Sequence, residues 1–173
     1  MTLNDAEDTF KHTSDERIAL PCGWKAHETM EDCLKALHQY YFEPETYAIC
    51  FKDDPELKLI GVVEVAFERD FPVPELTEGN AEIGYFVAVE HWGKGIATEA
   101  AKCLTRRAFQ VLGAKRLWGR RFSTNAKSGN VMRKLGLEYR YDREDKDEQT
   151  GEVSMLSLHS LDRETWETKY NTN

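Results

Sequence analysis

Two glycines in the run His91-Trp92-Gly93-Lys94-Gly95-Ile96-Ala97-Thr98-Glu99-Ala100 mark the most specific chemistry of this sequence. They punctuate a loop that passes from an apolar strand pattern straight into a helix pattern. The first N–H groups of a helix have no acceptor within it, and positions without side chains let an anion come close to them. The chemistry implied is phosphate binding. The nucleotide P-loop is not matched, because no Ser or Thr follows the Gly-Lys pair. The dinucleotide fingerprint lacks its third glycine, since Gly95 is followed by Ile96-Ala97-Thr98-Glu99. The run is a phosphate cradle of another kind.

Charge around the run agrees. From Gly93 to Lys134 there are eleven Lys and Arg and one acid, Glu99, a balance of +10; the whole chain carries −8, so the remainder carries −18. A basic stretch that begins at the loop favours an anionic ligand there. The acidic remainder argues against nucleic acid as a partner and suits a cationic second substrate.

A length of 173 residues fits one domain, 1–173, with a substantial core. No apolar run reaches the roughly 20 residues of a membrane helix, and the polar N-terminus has no signal-peptide pattern. Cys22, Cys33, Cys50 and Cys103 are widely spaced without a C-x-x-C, which predicts reduced thiols, no metal site and a cytoplasmic location.

The elements that must position the loop follow from periodicity and turn residues. Leu3 to about Ser14 reads as a helix with Asn4 as N-cap. Thr29-Met30-Glu31-Asp32 resembles a capping box opening a helix to about Tyr41, with Cys33, Leu34 and Leu37 on one face. Tyr47–Lys52 and Lys58–Phe67 are strands of a hairpin across Asp53-Asp54-Pro55, and 68–80 is a loop. Ala81–Val89 is a strand that feeds the glycine loop. A helix then runs through Leu112, burying Ala97, Ala100, Ala101, Leu104, Ala108, Val111 and Leu112, with Gly113 as its stop. Arg116–Phe122 is a strand, Asn125 or Ala126 to Leu135 a helix stopped by Gly136, Glu138–Tyr141 and Val153–Leu158 strands, and Asp162–Tyr170 a short last segment. Hairpin-like strand pairs mixed with helices predict an α+β fold.

Three ordered motifs carry a family resemblance. Ile83-Gly84-Tyr85-Phe86-Val87 followed by Val89 to Ala100 is similar to the acyl-CoA motif of the GNAT N-acetyltransferases. The Trp-Gly-Lys-Gly-x-Ala-Thr-Glu-Ala form resembles its ribosomal-protein N-terminal acetyltransferase (RimJ/RimL) branch. So do Asn125-Ala-Lys-Ser128 with Lys134-Leu135-Gly136-Leu137, and Trp24 to Glu31 upstream. Val89 stands in place of a usual Pro and Leu137 in place of a usual Phe. The family's usual first strand is absent from this sequence, so either the sheet lacks an edge strand or the gene start is short; an unpaired edge would call for cover by a partner chain.

The resemblance implies a twisted, mostly antiparallel mixed sheet flanked by helices, with the acyl-CoA site at its splayed strands. Pyrophosphate would take the backbone N–H groups of Gly93, Lys94, Gly95, Ile96, Ala97 and Thr98. The pantetheine arm would pair with the backbone at Phe86 and Val87, and Asn125 would contact it unless it only caps its helix. Glu82 is the first candidate for the base that deprotonates the amine, with Glu64 in reserve, facing the substrate. Ser128 is the candidate acid or thiolate contact, also touching the cofactor, since the tyrosine common in other branches is missing from that helix; Tyr85 and Tyr139 are poor substitutes. His27 matches a position near the acceptor, His91 reads as an exposed loop residue and Cys103 as buried packing. The implied protein is an acetyl-CoA-dependent N-acetyltransferase, monomer or homodimer, that acetylates a protein N-terminus or a small amine. The rivals are a non-catalytic acyl-CoA sensor and, disfavoured by the missing Ser/Thr, a nucleotide-binding module.

Overall fold

The computed structural model describes residues 1–68, 73–146 and 151–170. Its strands are β1 (Thr46–Cys50), β2 (Leu59–Ala66), β3 (Asn80–Val87), β4 (Arg116–Phe122), β5 (Glu138–Lys146) and β6 (Val153–Asp162). Its helices are α1 (Ala6–Thr13), α2 (Glu16–Cys22), α3 (Met30–Ala36), α4 (Ile96–Gln110), α5 (Ala126–Leu135) and α6 (Arg163–Tyr170). The strands form one mixed sheet in the order β1-β2-β3-β4-β6-β5. The β1–β2, β4–β6 and β5–β6 ladders are antiparallel and β3–β4 is parallel. This is the α+β architecture that the hairpin pattern predicts. The chain divides into two compact units, residues 1–64 with 84–101 and residues 65–83 with 102–173.

In the first unit, caps fix where the helices start. The expected N-cap Asn4 yields to Thr2, whose N–H donates to Asp5 Oδ2 at 2.7 Å, closing a capping box over a 3₁₀ turn at Leu3–Asp5 that leads into α1. The Thr29–Asp32 box forms as expected, with Thr29 N donating to Asp32 Oδ2 at 2.9 Å. Past Ala36, however, the helix widens into a π-turn, Leu37–Tyr41. Helix α2 is absent from the sequence-based reading: seven residues give too little periodicity, and Pro21 reads as a breaker, yet Asp15 caps its start and Gly23 at φ 89° ends it. One core joins Ile18, Leu59, Val62 and Phe86, and another Ala6, Cys33 and Leu37. Both backbone groups of Leu59 are satisfied from α1: its N–H donates to Asp8 Oδ2 at 3.0 Å, and its carbonyl lies 3.0 Å from His12 Nε2.

In the second unit, β4 pairs with β6 from Arg116↔Asp162 to Phe122↔Leu156. Strands β5 and β6 run on to Lys146 and Asp162, past the expected Tyr141 and Leu158. Seven of the nine β5 residues are charged, so no apolar alternation announces its length. Phe109 is buried against Trp166 with ring centroids 5.3 Å apart. Val111, expected on the buried face of its helix, lies beyond the end of α4 and is 65% exposed. Of the expected 68–80 loop, residues 69–72 lie outside the described residues, and 73–79 is irregular before β3 begins at Asn80.

Candidate functional site

In the first unit, β3 runs through a 3₁₀ turn at Val89–His91 into the glycine loop. The Trp92 indole N–H donates to the Val87 carbonyl at 2.7 Å and pins the loop to the strand end. Gly93 and Gly95 have φ of 75° and 85°, left-handed values that disfavour any side chain. A Cβ at either position would meet nothing within 4 Å, so the space over this backbone is open. The fifteen-residue helix α4 starts at once, with Glu99 N donating to Gly95 O at 2.9 Å. Gly93, Lys94 and Gly95 are exposed, and Ile96, Ala97 and Thr98 are half-buried. Lys94 Nζ lies 3.5 Å from His91 Nδ1, and His91 is half-buried edge-on to Phe51 rather than fully exposed.

Phe86 and Val87 are buried, 6% and 5% exposed. Two residues back on the same face of β3, Gly84 lies against Glu64 of β2: a Cβ on Gly84 would sit 2.5 Å from Glu64 Oε1. The Glu64 carboxylate therefore rests on bare β3 backbone. A glycine inside a strand signals such a close approach, and Gly84 was a readable sign in the sequence. Trp24 and Tyr41 flank the Phe86 ring edge-on, at centroid distances of 5.9 Å and 6.3 Å. Burial, then the charges of Cys22 and Glu64, push the Tyr41 phenol far up, so it keeps its proton. His27 is anchored by its backbone N–H to Thr13 O at 3.1 Å, and burial lowers the proton affinity of its ring. The ring atoms His27 Nδ1 and Trp24 Nε1 are both buried with no hydrogen-bond partner. Tyr41 escaped sequence reasoning because it sits at the end of a π-turn that no periodicity marks.

In the second unit, Glu82 is buried and both its oxygens meet the Arg120 guanidinium, Oε1 with Nε and Oε2 with Nη2 at 3.0 Å. The parallel ladder between β3 and β4 pairs Asn80–Glu82 with Arg116–Trp118, and Glu82↔Trp118 is its last recorded rung. Asn125 caps α5, its Oδ1 accepting from Ser128 N at 3.1 Å, and Ser128 is half-buried in the first turn. Cys103, expected to be buried, is exposed, because it lies on the outward face of α4 between the buried Ala101 and Leu104. All four cysteines are free thiols. Among the described residues no group of His, Cys, Asp and Glu is arranged to hold a metal ion, and no helix is long and apolar enough to cross a membrane.

The structure thus joins a strand to an open glycine cradle at a helix start, on a mixed sheet. Residues 1–138 match the acetyltransferase (GNAT) domain, and the chain belongs to the GNAT acetyltransferase family. It is 25% identical over 141 residues to the uncharacterized N-acetyltransferase YoaA of Bacillus subtilis, covering 80% of this chain and 76% of that one. Its fold is similar to that of a GNAT-family acetyltransferase from Bacillus anthracis, with a TM-score of 0.78, 19% identity and coverage of 95% and 92%. It is also similar in fold to spermidine N-acetyltransferase from Vibrio cholerae, solved with CoA and spermine, with a TM-score of 0.74, 14% identity and coverage of 96% and 94%.

Proposed function

We propose that residues 1–173 act as a single cytoplasmic N-acetyltransferase of the RimJ/RimL branch, which moves an acetyl group from acetyl-CoA directly to a primary amine. The observation that carries this reading is the cradle itself: Gly93 and Gly95 hold left-handed backbone over open space at the start of α4. Such a cradle fits a pyrophosphate on the N–H groups of Gly93 to Thr98, with Lys94 supplying charge. In the transfer, the amine nitrogen bonds to the thioester carbonyl carbon and the carbon–sulfur bond breaks. The amine loses a proton to a carboxylate, and the thiolate leaves as a thiol after gaining one. Glu64 suits the base, since its carboxylate lies directly on the backbone of Gly84, two residues before Phe86 on β3. Glu82, the first candidate from sequence, would have to surrender an oxygen held by Arg120 to do the same. Phe86 and Val87 offer their backbone to the pantetheine arm. The family resemblance assigns Asn125 and Ser128 as its side-chain contacts, Ser128 for the thiolate, and His27 as a contact of the acceptor.

The test is thermal unfolding with acetyl-CoA. A ligand that binds only the folded state at a hundred times its dissociation constant adds about 2.7 kcal/mol of stability. Acetyl-CoA should raise the melting temperature of the wild type and leave that of Gly95→Val unmoved. No shift in the wild type would end the proposal. A shift without thiol release across a panel of amines would leave a sensor in place of an enzyme.

A further inference from the structure

In the second unit, Arg121 of β4 is half-buried and held from three sides. Its Nη1 donates to the carbonyls of Phe122 at 3.1 Å and Ser123 at 2.8 Å, and its Nε donates to His159 Nε2 at 3.3 Å. Helix α5 makes room for the guanidinium with a glycine: a Cβ on Gly129 would sit 2.9 Å from Arg121 Nε and 3.2 Å from its Cζ. Glycine is a poor residue inside a helix, so its use here goes with the seat it leaves. The two hydrogens on Nη2 meet no acceptor among the described residues, and no carboxylate among them pairs with Arg121. Asp142 stands on the same rung two strands away, across Ser157, and is exposed. The guanidinium lines a cleft of about 610 Å³ between α5 and strands β4, β5 and β6. Asn130 and Arg133 line it from α5 and Tyr139 from β5, with the Tyr139 ring edge-on to His159 at 5.7 Å. Glu138 lines it too, but its carboxylate lies 3.7 Å from both Arg140 Nη1 and Lys169 Nζ.

We propose that this cleft binds a phosphate monoester, with Arg121 Nη2 and Arg133 on the phosphate and Tyr139 beside the organic group. The unspent hydrogens choose the anion. A planar carboxylate fits arginine best through two parallel N–H bonds from neighbouring nitrogens. Every such edge of Arg121 includes Nε or Nη1, and both are already spent. A tetrahedral phosphate needs no edge: one oxygen takes Nη2, another takes Arg133, and its second negative charge suits a second cation. The Asn130 amide can donate to the same group. The volume chooses the ester. Small-molecule sites run from roughly 300 to 1,000 Å³, so this cleft has room for a carbon skeleton beyond the phosphate. Both arginines belong to the basic stretch from Gly93 to Lys134, whose charge the glycine loop alone does not account for.

The experiment is isothermal titration of the full chain in phosphate-free buffer, with and without CoA. The probes are phenyl phosphate, benzoate (the same ring with a planar carboxylate) and inorganic phosphate. Phenyl phosphate should bind one per chain, about tenfold or more tighter than either other probe, and equally well with CoA present. Arg121→Gln should weaken it by about tenfold or more. Gly129→Ala, which favours the helix and drives a methyl against the guanidinium, should do the same. Arg133→Gln, on an exposed side chain, should weaken it by about threefold. A wild type that does not bind phenyl phosphate overturns the proposal without needing any variant to fold. So does benzoate or inorganic phosphate binding as tightly as the ester. Displacement of phenyl phosphate by CoA would move it to the glycine loop and likewise overturn the cleft, as would wild-type affinity in Arg121→Gln or Gly129→Ala protein of normal melting temperature.

Discussion

Two carboxylates on neighbouring strands divide the roles a sequence alone would give to either. Glu64 lies over the bare backbone of Gly84, whereas Glu82 is gripped at both oxygens by Arg120. If Glu64 is the base, Glu64→Gln should cut kcat/KM by about a hundredfold or more, while folded Glu82→Gln should lose far less. The opposite result, with the large loss in Glu82→Gln and little in Glu64→Gln, would return the base to Glu82. The difference was hidden in the sequence because Arg120 is 38 residues from Glu82, and only the β3–β4 register brings them together. The backbone of the glycine loop, in contrast, was legible: Gly93 and Gly95 mark in the sequence the left-handed positions that the structure shows.

The ion pair also acts on the strands that carry it. Glu82 stands on the last recorded rung of the β3–β4 ladder, and Arg120 reaches back to it from two residues further along β4. Its side chains are only 7% and 18% exposed. Removing one partner of a pair so placed leaves the other charged and poorly hydrated. Arg120→Leu should destabilise the protein by roughly 3 kcal/mol, read from urea unfolding, and Glu82→Gln together with Arg120→Leu by less than the two effects added. Additive losses would mean that the two side chains act independently. Elements with strong local signals were legible in advance: the Thr29–Asp32 capping box, α5 between Asn125 and Gly136, and β4 at its observed bounds. Those that depend on tertiary support were not. Helix α2 has seven residues and an internal proline, and the π-turn at Leu37–Tyr41 continues a helix with a hydrogen-bond pattern no spacing rule encodes.

At the scale of the whole molecule, His159 ties stability to pH. It is 8% exposed, and its Nε2 accepts from Arg121 Nε at 3.3 Å. Burial first, then the Arg121 charge, lowers its proton affinity, against the smaller opposing pull of Asp142 and the Leu137 backbone. The unfolded chain thus binds this proton more readily than the folded one, so stability is full above the ordinary histidine value and is lost as pH falls below it. The melting temperature should fall between about pH 7 and pH 5. His159→Gln, which keeps an acceptor for Arg121 and cannot titrate, should flatten that fall. His27, shifted in the same direction by burial, supplies the part that remains. An unchanged slope in His159→Gln would remove His159 from the account.

Strand β5 closes one margin of the sheet, and its composition has a consequence for life in a crowded cell. Seven of its nine residues carry charge of mixed sign, and all but Arg143 are exposed. A chain that tried to extend the sheet past β5 would have to strip water from every second side chain it met. At the opposite margin β1 is five residues long and slips register between Ile49 and Cys50. Each border therefore discourages an added strand by its own means, charge at β5 and brevity with a register slip at β1.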